Sequence, residues 1–280
     1  MSTGKPDRGF TIVEVLMFLA VTGVLMMVAM LTIGGSRQKA EFSASVRDFN
    51  SSIQGIISEV KTGYFPNKTT QVNCKVTASV LDMSATSNAA GQGAHPECVF
   101  LGKVLYFDFS PASPRNSVSV ITVAGKAFES PGIPPTTYMA SKPKPIAGSH
   151  ANIDLTETLS LTNGLQVTKV ISSAGSPTPG AFGIFNSLAT TAGGSLSANV
   201  VTIPGSTSGT DLATTLGNII DIESTGPTIN PTIAICLQHG TNGKKAVVII
   251  GFKDRTAYSS LHIADYITAL SSAITGETCP

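Results

Sequence analysis

The sequence predicts an α+β fold in which a long N-terminal helix packs on a mainly antiparallel β-sheet head. Three observations support this prediction. An apolar run extends from Phe10 to Ile33, apolar residues at helical spacing follow from Phe42 to Val60, and short β-like segments fill the chain after Tyr64. Several strands that follow one helix are typical of domains in which a sheet covers the apolar face of that helix.

The first part of the helix is apolar enough to lie in a membrane. Between Phe10 and Ile33 nearly every residue is apolar or small, and Glu14 is the only charged one. A run of roughly 20 such residues spans the hydrocarbon core of a bilayer. We therefore predict a transmembrane helix over residues 10–35.

Glu14 needs a partner, because a charged side chain inside a bilayer costs roughly 2.5 to 3.5 kcal/mol on insertion scales. The short segment before the apolar run carries Lys5 and Arg8 and ends at Gly9. Cleavage after Gly9 would place a new ammonium group on Phe10, one helical turn before Glu14, where the two charges could pair within one chain or between neighbours. The alternative is an uncleaved signal anchor whose glutamate lies among the lipid headgroups.

The residues around this glutamate carry a family resemblance. They read Gly9-Phe10-Thr11-Ile12-Val13-Glu14-Val15-Leu16. This stretch resembles the processing and methylation motif of type IV pilins and type II secretion pseudopilins, and the resemblance covers about the first 35 residues. Many members carry a proline further along the helix, whereas this chain has none between Pro6 and Pro66.

The resemblance implies a processing pathway and a set of partners. Residues 1–9 would be a leader that a prepilin peptidase removes between Gly9 and Phe10, and Phe10 would then be N-methylated. Glu14 would neutralise the N-terminus of a neighbouring subunit during filament assembly. The expected partners are other pilin-like subunits, the peptidase/N-methyltransferase, an inner-membrane assembly platform and the membrane. The N-terminus would lie in the cytoplasm and the head outside it, so that assembly builds a filament at the cell surface or in the periplasm.

The second part of the helix, residues 36–63, is predicted to be amphipathic. Gly63 and then Pro66 mark its end. Apolar residues recur at steps of three and four, which predicts one buried stripe. The stripe consists of Phe42, Val46, Phe49, Ile53, Ile56, Ile57 and Val60.

Residues 64–280 are predicted to form a β-rich, extracytoplasmic head. Asn163-Gly164 and Thr241-Asn242-Gly243 are expected to be hairpin turns, and the proline-rich region at 131–147 could divide the head into two lobes. The spacing of apolar residues from Tyr258 to Ile274 predicts a helix or an irregular docked tail. Strands are predicted at 72–80, 98–109, 117–124, 153–161, 165–172, 181–188, 196–203, 218–222, 232–238 and 245–252.

The four cysteines all follow the membrane segment, and they are Cys74, Cys98, Cys236 and Cys279. Outside a reducing cytoplasm they could form two disulfides, with three pairings open. The pairs Cys74 with Cys98 and Cys236 with Cys279 are favoured because each closes a local loop. The second pair also resembles the C-terminal disulfide loop of pilins. Zinc binding is the rival interpretation, but the chain has no C-x-x-C motif.

Composition and motifs argue against several other function classes. The net charge of +1 and the 12% charged residues give no electrostatic signature of a nucleic-acid partner. No phosphate-binding, metalloprotease or dinucleotide motif is present. The four histidines stand apart in sequence, and 205–209 only outlines a nucleophile elbow because Thr207 occupies its centre. We therefore expect no enzyme activity, no cofactor and no metal site.

Three hypotheses remain. The first is a prepilin-like structural subunit, processed at Gly9/Phe10 and assembled by helix packing into a type IV pilus or a type II secretion pseudopilus. The second is a large-headed minor pilin that binds a surface, DNA or an exported protein. The third, less favoured, is a membrane-anchored extracytoplasmic enzyme, which a pocket with clustered His and Asp would support.

Overall fold

The computed structural model describes most of the helix and most of the sheet residues. Its chain divides into two units, residues 1–44 and 45–280. The described residues are 11–63, 72–77, 80–85, 98–109, 115–128, 133, 141, 144–146, 156–174, 180–186, 198–203, 231–240, 243–253, 256–263, 265–274 and 276–280.

Helix α1 runs from Ile12 to Thr62, 51 residues without a break. It ends before Gly63, which adopts a positive φ of 64° and whose N–H donates to the carbonyl of Val60. A left-handed residue after the last turn is a common helix terminator, and glycine adopts it without steric cost. All seven residues of the predicted stripe are buried, which confirms the amphipathic pattern: Phe42, Val46, Phe49, Ile53, Ile56, Ile57 and Val60.

The described strands of the head are all paired in antiparallel fashion. They form a two-stranded hairpin β1-β2, a four-stranded sheet in the order β12-β11-β10-β7, and a six-stranded sheet in the order β5-β4-β3-β8-β9, with β6 also paired to β4. The strands are β1 Val72–Thr77, β2 Val80–Ala85, β3 Cys98–Tyr106, β4 Ser117–Lys126, β5 Lys144–Ile146, β6 Thr156–Ser160, β7 Leu165–Ser172, β8 Ala181–Asn186, β9 Ala198–Ile203, β10 Ile233–His239, β11 Lys245–Lys253 and β12 Thr256–His262. The α+β prediction is therefore confirmed.

Within the head unit, α1 contacts the turn between β6 and β7 and strand β3 of the six-stranded sheet. Ser45 Oγ accepts a hydrogen bond from Asn163 Nδ2 at 2.9 Å, in the turn that leads into β7. Further along the helix, Glu59 is ion-paired with Lys103 on β3. The helix therefore contacts the head at the β6–β7 turn through Ser45 and at strand β3 through Glu59.

A second helix, which is short, packs on one face of the four-stranded sheet. Helix α2, Tyr266–Ala273, packs its buried Ala269 and Leu270 against residues of β7, β10 and β11. The apolar cluster that results also includes Ile171, Ala234, Cys236, Val247, Ile249 and Ile274.

The prediction of a helix or irregular tail from Tyr258 was wrong for its first part. Residues Thr256–His262 form strand β12, which pairs with β11 in the register Gly251 with Tyr258 and Val247 with His262. Helix α2 begins only at Tyr266. The edge of β11 offers unpaired backbone groups, and pairing with them outweighs a weak helical spacing.

The Asn163-Gly164 turn forms, but it does not make a hairpin. Both residues have positive φ, 52° and 70°, and Leu165 N–H donates to the carbonyl of Thr162. However, β6 pairs with β4 whereas β7 pairs with β10, so the turn passes the chain from one sheet to the other. The hairpin prediction at this turn was therefore wrong.

Other predictions of local structure have mixed outcomes. The hairpin of β10 and β11 is confirmed. Strand β2 extends from Val80 to Ala85, beyond the strand predicted at 72–80. The strand predicted at 218–222 lies outside the described residues, and the boundaries at 9/10, 35/36, 63/64 and 131–147 remain predictions.

Candidate functional site

The N-terminus of α1 is capped by the side chain of Thr11. Thr11 precedes the first helical residue, and its Oγ1 accepts a hydrogen bond from the backbone N–H of Glu14 at 3.3 Å. The spacing Thr-x-x-Glu is that of a capping box, in which the fourth residue is an acid. Glu14 is exposed and lies in the first helical turn, where the helix dipole favours a negative charge.

The sequence analysis identified Glu14 but missed Thr11 as its structural partner. The signal was present, because the Thr-x-x-Glu spacing before an apolar run indicates a helix start. Gly9 and Phe10 lie outside the described residues. The cleavage site and the pairing role of Glu14 therefore remain predictions.

An exposed apolar surface follows Glu14. Residues Ile12–Met30 have a mean hydropathy of 2.5, and none of the residues in this window is buried. Fourteen large apolar side chains between these two residues are exposed. The hydroxyl of Thr22 donates to the carbonyl of Phe18 within the helix, so this polar group is satisfied without water. By length and composition this segment fits a single-pass membrane anchor.

The C-terminal tail is fixed to the head by a disulfide and an ion pair. The sulfur atoms of Cys236 on β10 and Cys279 lie at disulfide-bonding distance, with their Cα atoms 5.6 Å apart. Lys169 Nζ on β7 lies 2.8 Å from Glu277 Oε2. The side chains of Cys74 and Cys98 lie outside the described part of the structure, so their pairing remains a prediction.

A groove on the head lies between strand β12 and helix α2. Its cavity volume is about 440 Å³, and it lies on the same face of the sheet as α2. Tyr258, Ser260 and His262 alternate along β12 and line one side. Residues at the start of α2 and along it line the other side and include Asp265, Thr268, Ala269, Ser272 and Ala273.

One histidine of the chain has a carboxylate partner in this groove. His262 Nδ1 lies 3.2 Å from Asp265 Oδ2, across the junction between β12 and α2. Sequence reasoning treated the histidines as isolated and missed this pair, although a spacing of three residues was visible. His95, His150 and the 205–209 segment lie outside the described residues. Within the described part of the chain, no group of three or more His, Cys, Asp or Glu residues is arranged to hold a metal ion.

Comparison with known proteins adds one match, at the N-terminus. Residues 4–30 match the family model described as the prokaryotic N-terminal methylation motif. Neither the curated proteins nor the solved structures contain a match to this chain. The matched segment includes Glu14, the Thr11 cap and the start of the exposed apolar helix. This chain therefore carries the prepilin signature of type IV pilins and pseudopilins.

Proposed function

We propose that the protein is a prepilin-like structural subunit that is processed between Gly9 and Phe10 and assembled by helix packing into a filament. The filament is a type IV pilus or a type II secretion pseudopilus. The membrane holds the subunit by the apolar half of α1 before assembly, and neighbouring subunits cover the same surface afterwards.

The observation that carries this proposal is the combination of Glu14 with an exposed apolar helix. An exposed surface of this size is unfavourable in water at roughly 25 cal/mol per Å², so lipid or other protein must cover it. Either environment also surrounds Glu14 and strengthens its attraction to a nearby cation. A neighbouring subunit whose N-terminus lies at Phe10 supplies that cation. The charge pair therefore forms only when the helices of the two subunits pack together.

The proposal assigns partners and an orientation. A membrane prepilin peptidase removes residues 1–9 and methylates Phe10, and an inner-membrane platform extracts the subunit into the growing filament. The N-terminus faces the cytoplasm and the head lies outside it. The disulfide between Cys236 and Cys279 supports a head that lies outside the cytoplasm, because structural disulfides persist in oxidising compartments.

Cleavage is tested by a matched pair of glycine variants in the leader. The chain is expressed with a prepilin peptidase, extracted from membranes, and measured by intact mass. Wild type and Gly4→Leu should lose residues 1–9, whereas Gly9→Leu should keep them because the bulky side chain blocks the cut. A full-length wild-type mass, or a Gly9→Leu chain that is still cut after residue 9, would contradict the proposal.

A further inference from the structure

The groove between β12 and α2 has the volume of a small ligand site. Its volume of about 440 Å³ falls within the range of roughly 300–1,000 Å³ that is common for small-molecule sites. It is also open to solvent, since the Asp265 side chain is 65% exposed and Tyr258 is 43% exposed. A groove of this kind can admit the end of a longer molecule.

An aromatic ring forms the flat side of the groove. Tyr258 is paired with Gly251 across the two strands. A Cβ atom at Gly251 would lie only 2.6 to 2.9 Å from the Oη, Cζ and Cε1 atoms of Tyr258. The tyrosine ring therefore lies directly over the glycine backbone, and a larger residue at position 251 would displace it. The ring remains partly exposed, so a ligand can stack on it.

Hydroxyl, imidazole and carboxylate groups line the same groove as the aromatic ring. Ser260, Thr268 and Ser272 contribute hydroxyls, which both donate and accept hydrogen bonds. Ser272 donates to the carbonyl of Ala269 at 2.8 Å, and its oxygen retains acceptor capacity toward the groove. Asp265 orients His262 through one oxygen, and its second oxygen is an additional acceptor.

We propose that this groove binds a neutral carbohydrate. A sugar ring has an apolar face of C–H groups that stacks on an aromatic ring, and a rim of hydroxyls that need both donors and acceptors. Tyr258 provides the first requirement, and the carboxylate, imidazole and hydroxyl side chains provide the second. This inference concerns the head alone and goes beyond the proposed assembly into filaments.

The charge of the groove favours a neutral sugar over other ligands that stack on aromatic rings. Nucleic-acid sites combine aromatic side chains with Lys or Arg that contact phosphates. Among the residues that the structure describes, those that line this groove include no Lys or Arg, whereas they include the carboxylate of Asp265. The same carboxylate repels sialic acid and other acidic sugars.

The test uses the whole protein in lipid nanodiscs. Detergents are avoided because glycoside detergents would themselves occupy a sugar site. An array of neutral and sialylated oligosaccharides is the first probe, with a duplex DNA oligonucleotide measured alongside. Calorimetry then gives the affinity for the best-bound glycan. Tyr258→Leu and Asp265→Asn should weaken that affinity by about tenfold or more. Tyr258→Phe, which keeps the ring, and Ile267→Ser, on an exposed position of α2 outside the groove, should stay close to wild type.

The outcomes separate this inference from the assembly proposal. Binding of neutral glycans that depends on Tyr258 and Asp265, and that persists in Glu14→Ala, supports the groove whether or not filaments form. Each variant is first shown to have the wild-type circular dichroism spectrum. Absence of glycan binding, binding unaffected by both groove variants, a preference for sialylated glycans, or DNA binding lost in the groove variants would overturn the inference.

Discussion

Lys103 Nζ donates a hydrogen bond to Glu59 Oε2 over 2.5 Å and thereby joins the middle of strand β3 to helix α1. The lysine side chain is only 1% exposed, whereas Glu59 is 38% exposed. A second carboxylate, Glu157 Oε2 on β6, lies 3.6 Å from the same nitrogen. The ammonium is therefore the buried member of the cluster, and the two carboxylates remain partly hydrated.

This asymmetry predicts which substitution in the cluster lowers the free energy of unfolding most. Lys103→Met removes the buried charge at similar volume and leaves two carboxylates that water can reach, so the free energy of unfolding should fall by about 1 kcal/mol or less. The double variant Glu59→Gln with Glu157→Gln leaves the ammonium buried without a counter-charge, and about 3 to 5 kcal/mol should be lost.

Guanidinium unfolding followed by circular dichroism measures the effect of both changes. Arg37→Ala is the matched control, because Arg37 forms an exposed ion pair with Glu41 on the same helix and should contribute well under 1 kcal/mol. A larger loss for Lys103→Met than for the double glutamine variant would contradict this account of the cluster.

The disulfide of the C-terminal tail should contribute far more than the ion pair beside it. Cys236 and Cys279 are separated by 43 residues, and closing a loop of this length stabilises the fold by about 4 kcal/mol in the loop-entropy treatment. Cys236→Ala with Cys279→Ser should lower the unfolding free energy by about that amount. Glu277→Ala, which removes the exposed partner of Lys169, should cost less than about 1 kcal/mol in the same denaturation experiment. Equal losses would show that the tail is held by its surface contacts.

The sequence predicted the helix well because its determinants are local. The stripe from Phe42 to Val60 repeats at helical spacing, and Gly63 adopts the left-handed conformation that ends α1. Turn chemistry was also visible, since Asn163-Gly164 makes the expected tight turn. What was not visible is that the flanking strands join different sheets, because that depends on pairing with β4 and β10 far along the chain.

The groove could not be predicted because it depends on β12 and α2 being separate elements. The two residues that connect β11 to β12, Asp254 and Arg255, include no glycine or asparagine, so the sequence lacks a two-residue hairpin signal there. Only the pairing of Tyr258 with Gly251 reveals the aromatic ring of the groove. The buried Lys103 was also missed, since nothing in its local sequence distinguishes it from a solvated lysine.

Tyr106, the last residue of β3, should make the fold sensitive to alkaline pH. Its hydroxyl is buried, and no described group accepts or donates a hydrogen bond to it. Burial, with a smaller contribution from the charge of Asp108, raises the pKa of Tyr106 above its ordinary value of 10.0. The unfolded chain therefore loses this proton at lower pH than the folded one, and stability falls as the pH rises above about 10.

Tyr106→Phe tests this pH dependence. The substitution removes a buried hydroxyl without a partner, so at pH 8 it should leave stability unchanged or raise it by about 1 kcal/mol. Above pH 10 the advantage of the variant over wild type should grow, because the wild type alone has the tyrosine that resists ionisation when folded. A constant difference between Tyr106→Phe and wild type from pH 8 to pH 11 would contradict the prediction.

Glu14→Ala should separate processing from assembly. The cut between Gly9 and Phe10 precedes the helix and should still occur, so the mass of the membrane-extracted variant should show loss of residues 1–9. Without the carboxylate, the neighbouring ammonium enters an apolar interface unpaired, at a cost of roughly 2.5 to 3.5 kcal/mol per contact. Filament yield after shearing and pelleting should therefore fall by about tenfold or more. Asp48→Ala removes an exposed carboxylate from the same helix and should assemble normally. Wild-type yield from Glu14→Ala would show that helix packing alone drives assembly and that the charge pair has no part in it.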